Sequence, residues 1–77
     1  MNPIKQGENS ARVKLLQGIL NVIIGCGLVE DGVYGNLSVQ AVERYQSIMK
    51  IGIDGVVGVE TISTLLTDIK NNWFHCS

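Results

Sequence analysis

The chain reads as a small all-α protein, a three-helix bundle carrying a twofold-repeated Asp-Gly loop-helix unit. Two observations predict this. Three stretches place apolar residues at the i, i+3, i+4 spacing of a helix with one buried face, and a twelve-residue segment recurs 23 positions further along the chain. Glycines punctuate the boundaries between the stretches.

The first helix is expected from Ser10 to about Ile24, with Val13, Leu16, Leu20, Ile23 and Ile24 forming its apolar stripe. Asn9 or Ser10 is suited to cap its start, and Gly25-Cys26-Gly27 to end it. The second is expected from Asn36, the natural cap, to about Lys50, on the stripe Val39, Val42, Tyr45, Ile48 and Met49, with Gly52 as the stop and a short extended piece around Ile51 to Ile53. The third should begin just after Gly58 and bury Ile62, Leu65, Leu66 and Ile69, with Trp73 one turn further along the same face. Thr61, Thr64 and Thr67 lower its intrinsic propensity, so packing must hold it.

The recurring segment aligns DGVYGNLSVQAV (Asp31 to Val42) with DGVVGVETISTL (Asp54 to Leu65), matching Asp31 to Asp54, Gly32 to Gly55, Gly35 to Gly58 and Ser38 to Thr61. A turn-plus-helix unit this short cannot bury its own apolar face, so two copies must pack together and against the first helix. An Asp before a Gly suits a turn in which the carboxylate accepts backbone N–H bonds and the glycine takes positive φ. Gly35 and Gly58, at the helix mouths, are expected to allow close approach of a neighbouring backbone, while Ser38 and Thr61 can bond back to free helix-end N–H groups. Gln17 and Gln46 recur in similar settings. A buried glutamine needs partners for its donors and its acceptor, so each is expected to bond a loop backbone.

With 77 residues there is room for one domain over 1–77, its core about 7–70 and residues 71–77 a C-terminal tail, since a chain this size buries only about 60% of the surface it exposes when unfolded. An apolar content of 45% against 17% charged residues argues for a compact globule and against disorder. Six basic residues are scattered along a chain of net charge -1, which leaves no footprint for a nucleic-acid backbone. The longest apolar run, Val22 to Val29, is far shorter than the ~20 residues that cross a bilayer. The polar start MNPIKQGENSAR carries no export signal, so either the chain was cut from a longer exported protein or it reaches its target without its own signal, as a phage component could.

No reactive centre is expected. Cys26 reads as a buried thiol and Cys76 as exposed near the terminus; they permit one disulfide without announcing a framework. His75 with the cysteines lacks the ligand spacing of a zinc site and the third group of a Cys–His nucleophile. The DGVYGN loop has too few oxygen ligands for calcium. Asp31 and Asp54 could suggest acid–base work on a sugar, but positions related by a repeat are expected to do the same structural work. Neither cofactor nor metal is expected. Trp73 is expected to close the bundle, with Phe74 beside it or the pair forming a docking patch.

The ordered set Val13, Leu16, Gln17, Leu20, Asp31-Gly32, Tyr34-Gly35, Ser38, Ala41-Val42, Tyr45-Gln46, Asp54-Gly55, Val57-Gly58, Thr61 and Leu65 resembles the peptidoglycan-binding domain family found beside bacterial wall hydrolases. The resemblance covers roughly residues 7 to 68. Ser38 replaces a usual Thr and Tyr45 a usual Phe, both mild departures, and the loop from Gly25 to Asp31 lacks an obvious wall-contacting aromatic. The family's fold is a three-helix bundle that attaches a catalytic neighbour to the wall.

That resemblance implies a non-catalytic module that binds peptidoglycan and targets a linked or associated wall hydrolase. The alternative is a structural or virion-associated module that uses the same fold to dock a virion protein. The cell wall, another extracytoplasmic site or a phage particle is the implied location. Candidate ligand-binding residues are Asp31, Tyr34, Gly35, Asn36, Asp54, Gly55 and Val57. For the aspartates the competing reading is local loop bonding. For Tyr34 it is packing against the end of the bundle, set against sugar contact through its ring and hydroxyl. Tyr45, on the apolar stripe, reads as core.

Overall fold

A computed structural model describes residues 2–75 of the protein. Three helices account for most of it: α1 (Ala11–Ile24), α2 (Asn36–Met49) and α3 (Val59–His75). Among the described residues β structure is limited to two isolated antiparallel bridges, Ile4 to Val57 and Asn9 to Val33. Each ties the N-terminal segment to one of the two inter-helix loops.

The core follows the periodicity in α1 and α2. Val13, Leu16 and Leu20 of α1 meet Ala41, Val42 and Tyr45 of α2, and Leu65 of α3 joins them. Ile4 and Val57 complete the cluster from outside the helices, brought together by paired backbone bonds of 3.0 and 2.8 Å. Two apolar residues assigned to the stripes face solvent instead: Ile48 and Leu66 are exposed. Each sits at the edge of its apolar face, where a 100° step per residue carries the side chain past the neighbouring helix.

Several local expectations are corrected. Ser10 is the N-cap residue of α1, but its hydroxyl donates to Glu8 and not to the helix end. Gly35, not Asn36, holds the N-cap position of α2; Asn36 is the first helical residue, and its Oδ1 accepts a 2.7 Å bond from Gln6 Nε2. The stop of α2 is Lys50, in the left-handed region at φ 59°, two residues before Gly52. Gly25 ends α1 as expected, with φ 61° and its N–H on the Asn21 carbonyl. Nothing approaches a Cβ built on Gly35 or Gly58 within 4 Å, so neither serves close packing.

Helix α3 continues to His75, beyond the expected core boundary. The side chains of Trp73, Phe74 and His75, and all of Cys76, lie outside the described residues. Cys26 is half-buried, less than expected, and its thiol donates to Asn21 Oδ1 at 3.4 Å. Asn21 also receives the Leu28 N–H at 2.7 Å and donates to the Leu28 carbonyl at 2.8 Å, which pins the start of the loop to α1. On the outer side of α1, Leu15 and Val22 are exposed and line an open apolar groove of about 630 Å³ with Ile19 and Ile69.

Candidate functional site

Each inter-helix loop is held by one buried glutamine. From α1, Gln17 Nε2 reaches Val33 O at 2.9 Å, Ser38 Oγ at 3.1 Å and Asp31 Oδ1 at 3.2 Å, while Gln17 Oε1 accepts the Gly32 N–H at 2.9 Å. From α2, Gln46 Nε2 reaches Asp54 Oδ1 at 2.9 Å, Val56 O at 3.0 Å and Thr61 Oγ1 at 3.1 Å, and Gln46 Oε1 accepts the N–H groups of Asp54 and Gly55, each at 3.1 Å. The second set of partners follows the first by 23 positions, and the glutamines themselves come from successive helices.

The carboxylates complete each turn locally. Asp31 Oδ1 accepts the Val33 N–H at 3.0 Å, and Asp54 Oδ1 the Val56 N–H at 2.9 Å. These N–H groups, and then the glutamine amides, hold both carboxyls below the usual aspartate range. Both residues are otherwise exposed. Ser38 and Thr61 therefore accept from glutamine amides and do not serve the helix-end N–H groups. Every buried side-chain polar atom among the described residues has a partner.

Tyr34 is inside the protein. Its ring is 1% exposed and its hydroxyl donates to Gly55 O at 2.7 Å, crossing from the first loop to the second. Burial, followed by the carboxylates of Asp54 and Glu43, pushes the phenol's pKa up, so the group stays a donor. It cannot offer a ring face to a sugar. The pull of the core on a large aromatic outweighs its loop position. Val57 and Gly55 are likewise buried, which removes them as direct contacts. Of the seven candidate residues, Asp31, Asn36 and Asp54 are exposed and Gly35 is partly so.

Asp31, Gly35 and Asn36 share one concavity of about 240 Å³ with Leu28, Leu37 and Ser38. Asp54 does not line it. A second concavity of about 320 Å³ adjoins, lined by Cys26, Leu28, Leu37, Gln40, Ala41 and Arg44. Leu28 and Leu37 line both, so the two adjoin across these leucines, along the loop after α1 and the first half of α2. Gln40 and Arg44 were not singled out from the sequence. The available signal was Leu37, an exposed leucine off the α2 stripe, with Gln40 and Arg44 three and seven positions further on.

Among the described residues no three His, Cys, Asp or Glu side chains are grouped to hold a metal ion. No described helix is long and apolar enough to cross a membrane. The one ion pair among them, Glu8 with Arg12, braces the chain entering α1 and lies outside the groove.

A three-helix scaffold whose two glycine loops are bolted down by buried glutamines, with an open groove alongside, has the form of a small binding module. The chain belongs to the peptidoglycan binding domain family, whose model matches residues 9–65. The fold is similar to that of the SleB N-terminal domain, with a TM-score of 0.82 and 26% identity over 86% of this chain and 90% of that one. It is similar to a Burkholderia AP3 phage endolysin at TM-score 0.77 and 33% identity, covering 83% of this chain and 24% of the endolysin. A peptidoglycan-binding protein from Clostridioides difficile, solved with glutamine hydroxamate, gives TM-score 0.77 and 26% identity over 83% of this chain and 40% of that one. This chain thus spans less than half the length of the latter two proteins. No curated protein matches the sequence.

Proposed function

We propose that this chain is a non-catalytic module that holds peptidoglycan and so keeps a linked or associated lytic enzyme at the cell wall. The family match carries this reading, because it runs across both glutamine-held loops and the groove between the first of them and α2. The endolysin and the Clostridioides protein, each much longer than this chain, support a module that works beside other domains. Its action is effective concentration: a tethered enzyme meets its polymer at a concentration set by the tether and not by the bulk solution. The place of action is then the cell wall or another extracytoplasmic site, reached as part of an exported or phage-borne assembly.

The test is sedimentation of the purified chain with insoluble sacculi at low salt, read by the fraction of protein in the pellet and by fragments released into the supernatant. Pelleting with no released fragments is expected. A chain left wholly in the supernatant defeats the wall-binding reading, and release of soluble fragments defeats the non-catalytic one.

A further inference from the structure

We infer that the groove between the Cys26–Asp31 loop and α2 takes the peptide part of the wall polymer, not its glycan, with Arg44 pairing a ligand carboxylate and Asp31 a ligand N–H or amino group. This rests on the wall-binding reading and names the part of the polymer that is held. The groove is polar at its ends and apolar at its waist. Leu28 and Leu37 form the waist; Asp31 lies at one end, Gln40 and Arg44 at the other.

Arg44 is exposed and has neither an ion-pair nor a hydrogen-bond partner among the described residues, whereas Arg12 is engaged with Glu8 and Asn2. At the other end Asp31 directs Oδ1 to the Val33 N–H and Gln17, while Oδ2 accepts no hydrogen bond from the described residues. A cation and an anion facing one trough select a ligand carrying both charges, and a guanidinium fits a carboxylate by two parallel hydrogen bonds.

Length agrees with a short peptide. The α2 wall of the groove, from Asn36 to Arg44, is eight residues of helix, about 12 Å at 1.5 Å per residue, which an extended peptide spans with about four residues at ~3.3 Å each. Wall stem peptides are of that length and bear free carboxylates and, in many walls, a free side-chain amine. Sugar rings are usually held against exposed aromatic faces, and the aromatic side chains among the described residues, Tyr34 and Tyr45, are both buried.

The experiment titrates the ¹⁵N-labelled chain with two soluble probes, a synthetic stem tetrapeptide and a peptide-free GlcNAc–MurNAc disaccharide. It then repeats the sedimentation assay with intact sacculi in the presence of excess soluble tetrapeptide or of excess soluble peptide-free glycan strands. The tetrapeptide is expected to shift the amides of Leu28, Leu37, Gln40 and Arg44, and the disaccharide to leave them in place. Arg44→Glu should weaken tetrapeptide binding at least tenfold and Arg44→Gln less, with circular dichroism unchanged because the site is exposed; Lys14→Gln, on α1 outside the groove, should bind as the parent does. Pelleting undiminished by excess tetrapeptide or abolished by the glycan strands, or full tetrapeptide binding by Arg44→Glu, overturns the peptide assignment while wall binding stands. Tetrapeptide binding without any pelleting on sacculi upholds the groove and defeats the anchoring role.

Discussion

Gln46 Oε1 accepts two consecutive loop N–H groups, those of Asp54 and Gly55, while its Nε2 stands 2.9 Å from Asp54 Oδ1; one side chain thus holds both sides of the same turn. Gln17 holds Asp31 and Gly32 in nearly the same way. The loops owe their shape to side chains projecting from the preceding helices, and the groove owes its shape to the first of these loops.

Replacing Gln46 by Leu therefore removes more than a contact. It strands the buried Gly55 N–H and the Val56 carbonyl, and a buried polar group left unpaired costs about 1–3 kcal/mol. A loss of about 3 kcal/mol in urea unfolding is expected for Gln46→Leu and a similar one for Gln17→Leu. A change below about 0.5 kcal/mol, the scatter of an ordinary surface substitution, would show that water replaces the amide without cost.

Tyr34→Phe separates the two roles considered for this residue. The hydroxyl bond to Gly55 O is buried, so its loss should cost about 1 kcal/mol of stability. Pelleting with sacculi at a temperature where both proteins are folded should be unchanged, since the ring touches no solvent. Loss of binding with stability intact would return Tyr34 to the ligand site.

Three glycines with positive φ should respond to alanine in a definite order. Gly25, at φ 61° with open space around it, carries only the left-handed penalty of about 1 kcal/mol. Gly55, at φ 70°, adds a Cβ at 3.0 Å from Val39 Cγ1, which can give by a small shift. Gly32, at φ 78°, adds a Cβ at 2.9 Å from the Ser10 carbonyl oxygen, which is backbone at the start of α1 and already accepts the Lys14 N–H. Melting temperatures should fall in the order Gly25→Ala least and Gly32→Ala most, and a reversal of those two would contradict the described loop.

Acid should destabilise the fold through three carboxylates. Asp31 and Asp54 are held below their ordinary value by loop N–H groups, and Glu8 is lowered to about 2 by hydrogen bonds from Arg12 and then Ser10. A depressed folded pKa means that the unfolded chain binds protons more readily. The stabilisation is complete above the unfolded values near 4 and is lost as pH falls through the folded ones. Stability should be level above about pH 5 and decline from about pH 4 toward 2. Asp31→Asn with Asp54→Asn keeps an acceptor at each turn and removes two of the titrating groups, so the decline should become shallower; an unchanged slope would assign it to other residues.

The helices were legible in the sequence because each is a local, periodic pattern. The stripe from Val13 to Ile24 anticipates α1 to within a residue, and Gly58 marks the start of α3. The bonding of Asp31 and Asp54 within their own turns was legible too, since an Asx turn needs only the next two residues. Periodicity was less dependable at the edges of the stripes, where Ile48 and Leu66 turn to solvent.

Three amphipathic helices, two Asp-Gly turns and a core place for Tyr45 follow from local pattern alone. The packed chain alone shows that Tyr34 is core and bonded to Gly55, that Ile4 pairs with Val57, and that Leu28 and Leu37 border both the concavity of Asp31 and that of Arg44. Range accounts for the division. A turn or a helix stripe is set by neighbours a few residues away, whereas burial of a loop side chain and the walls of a groove depend on which distant segments the whole chain brings together.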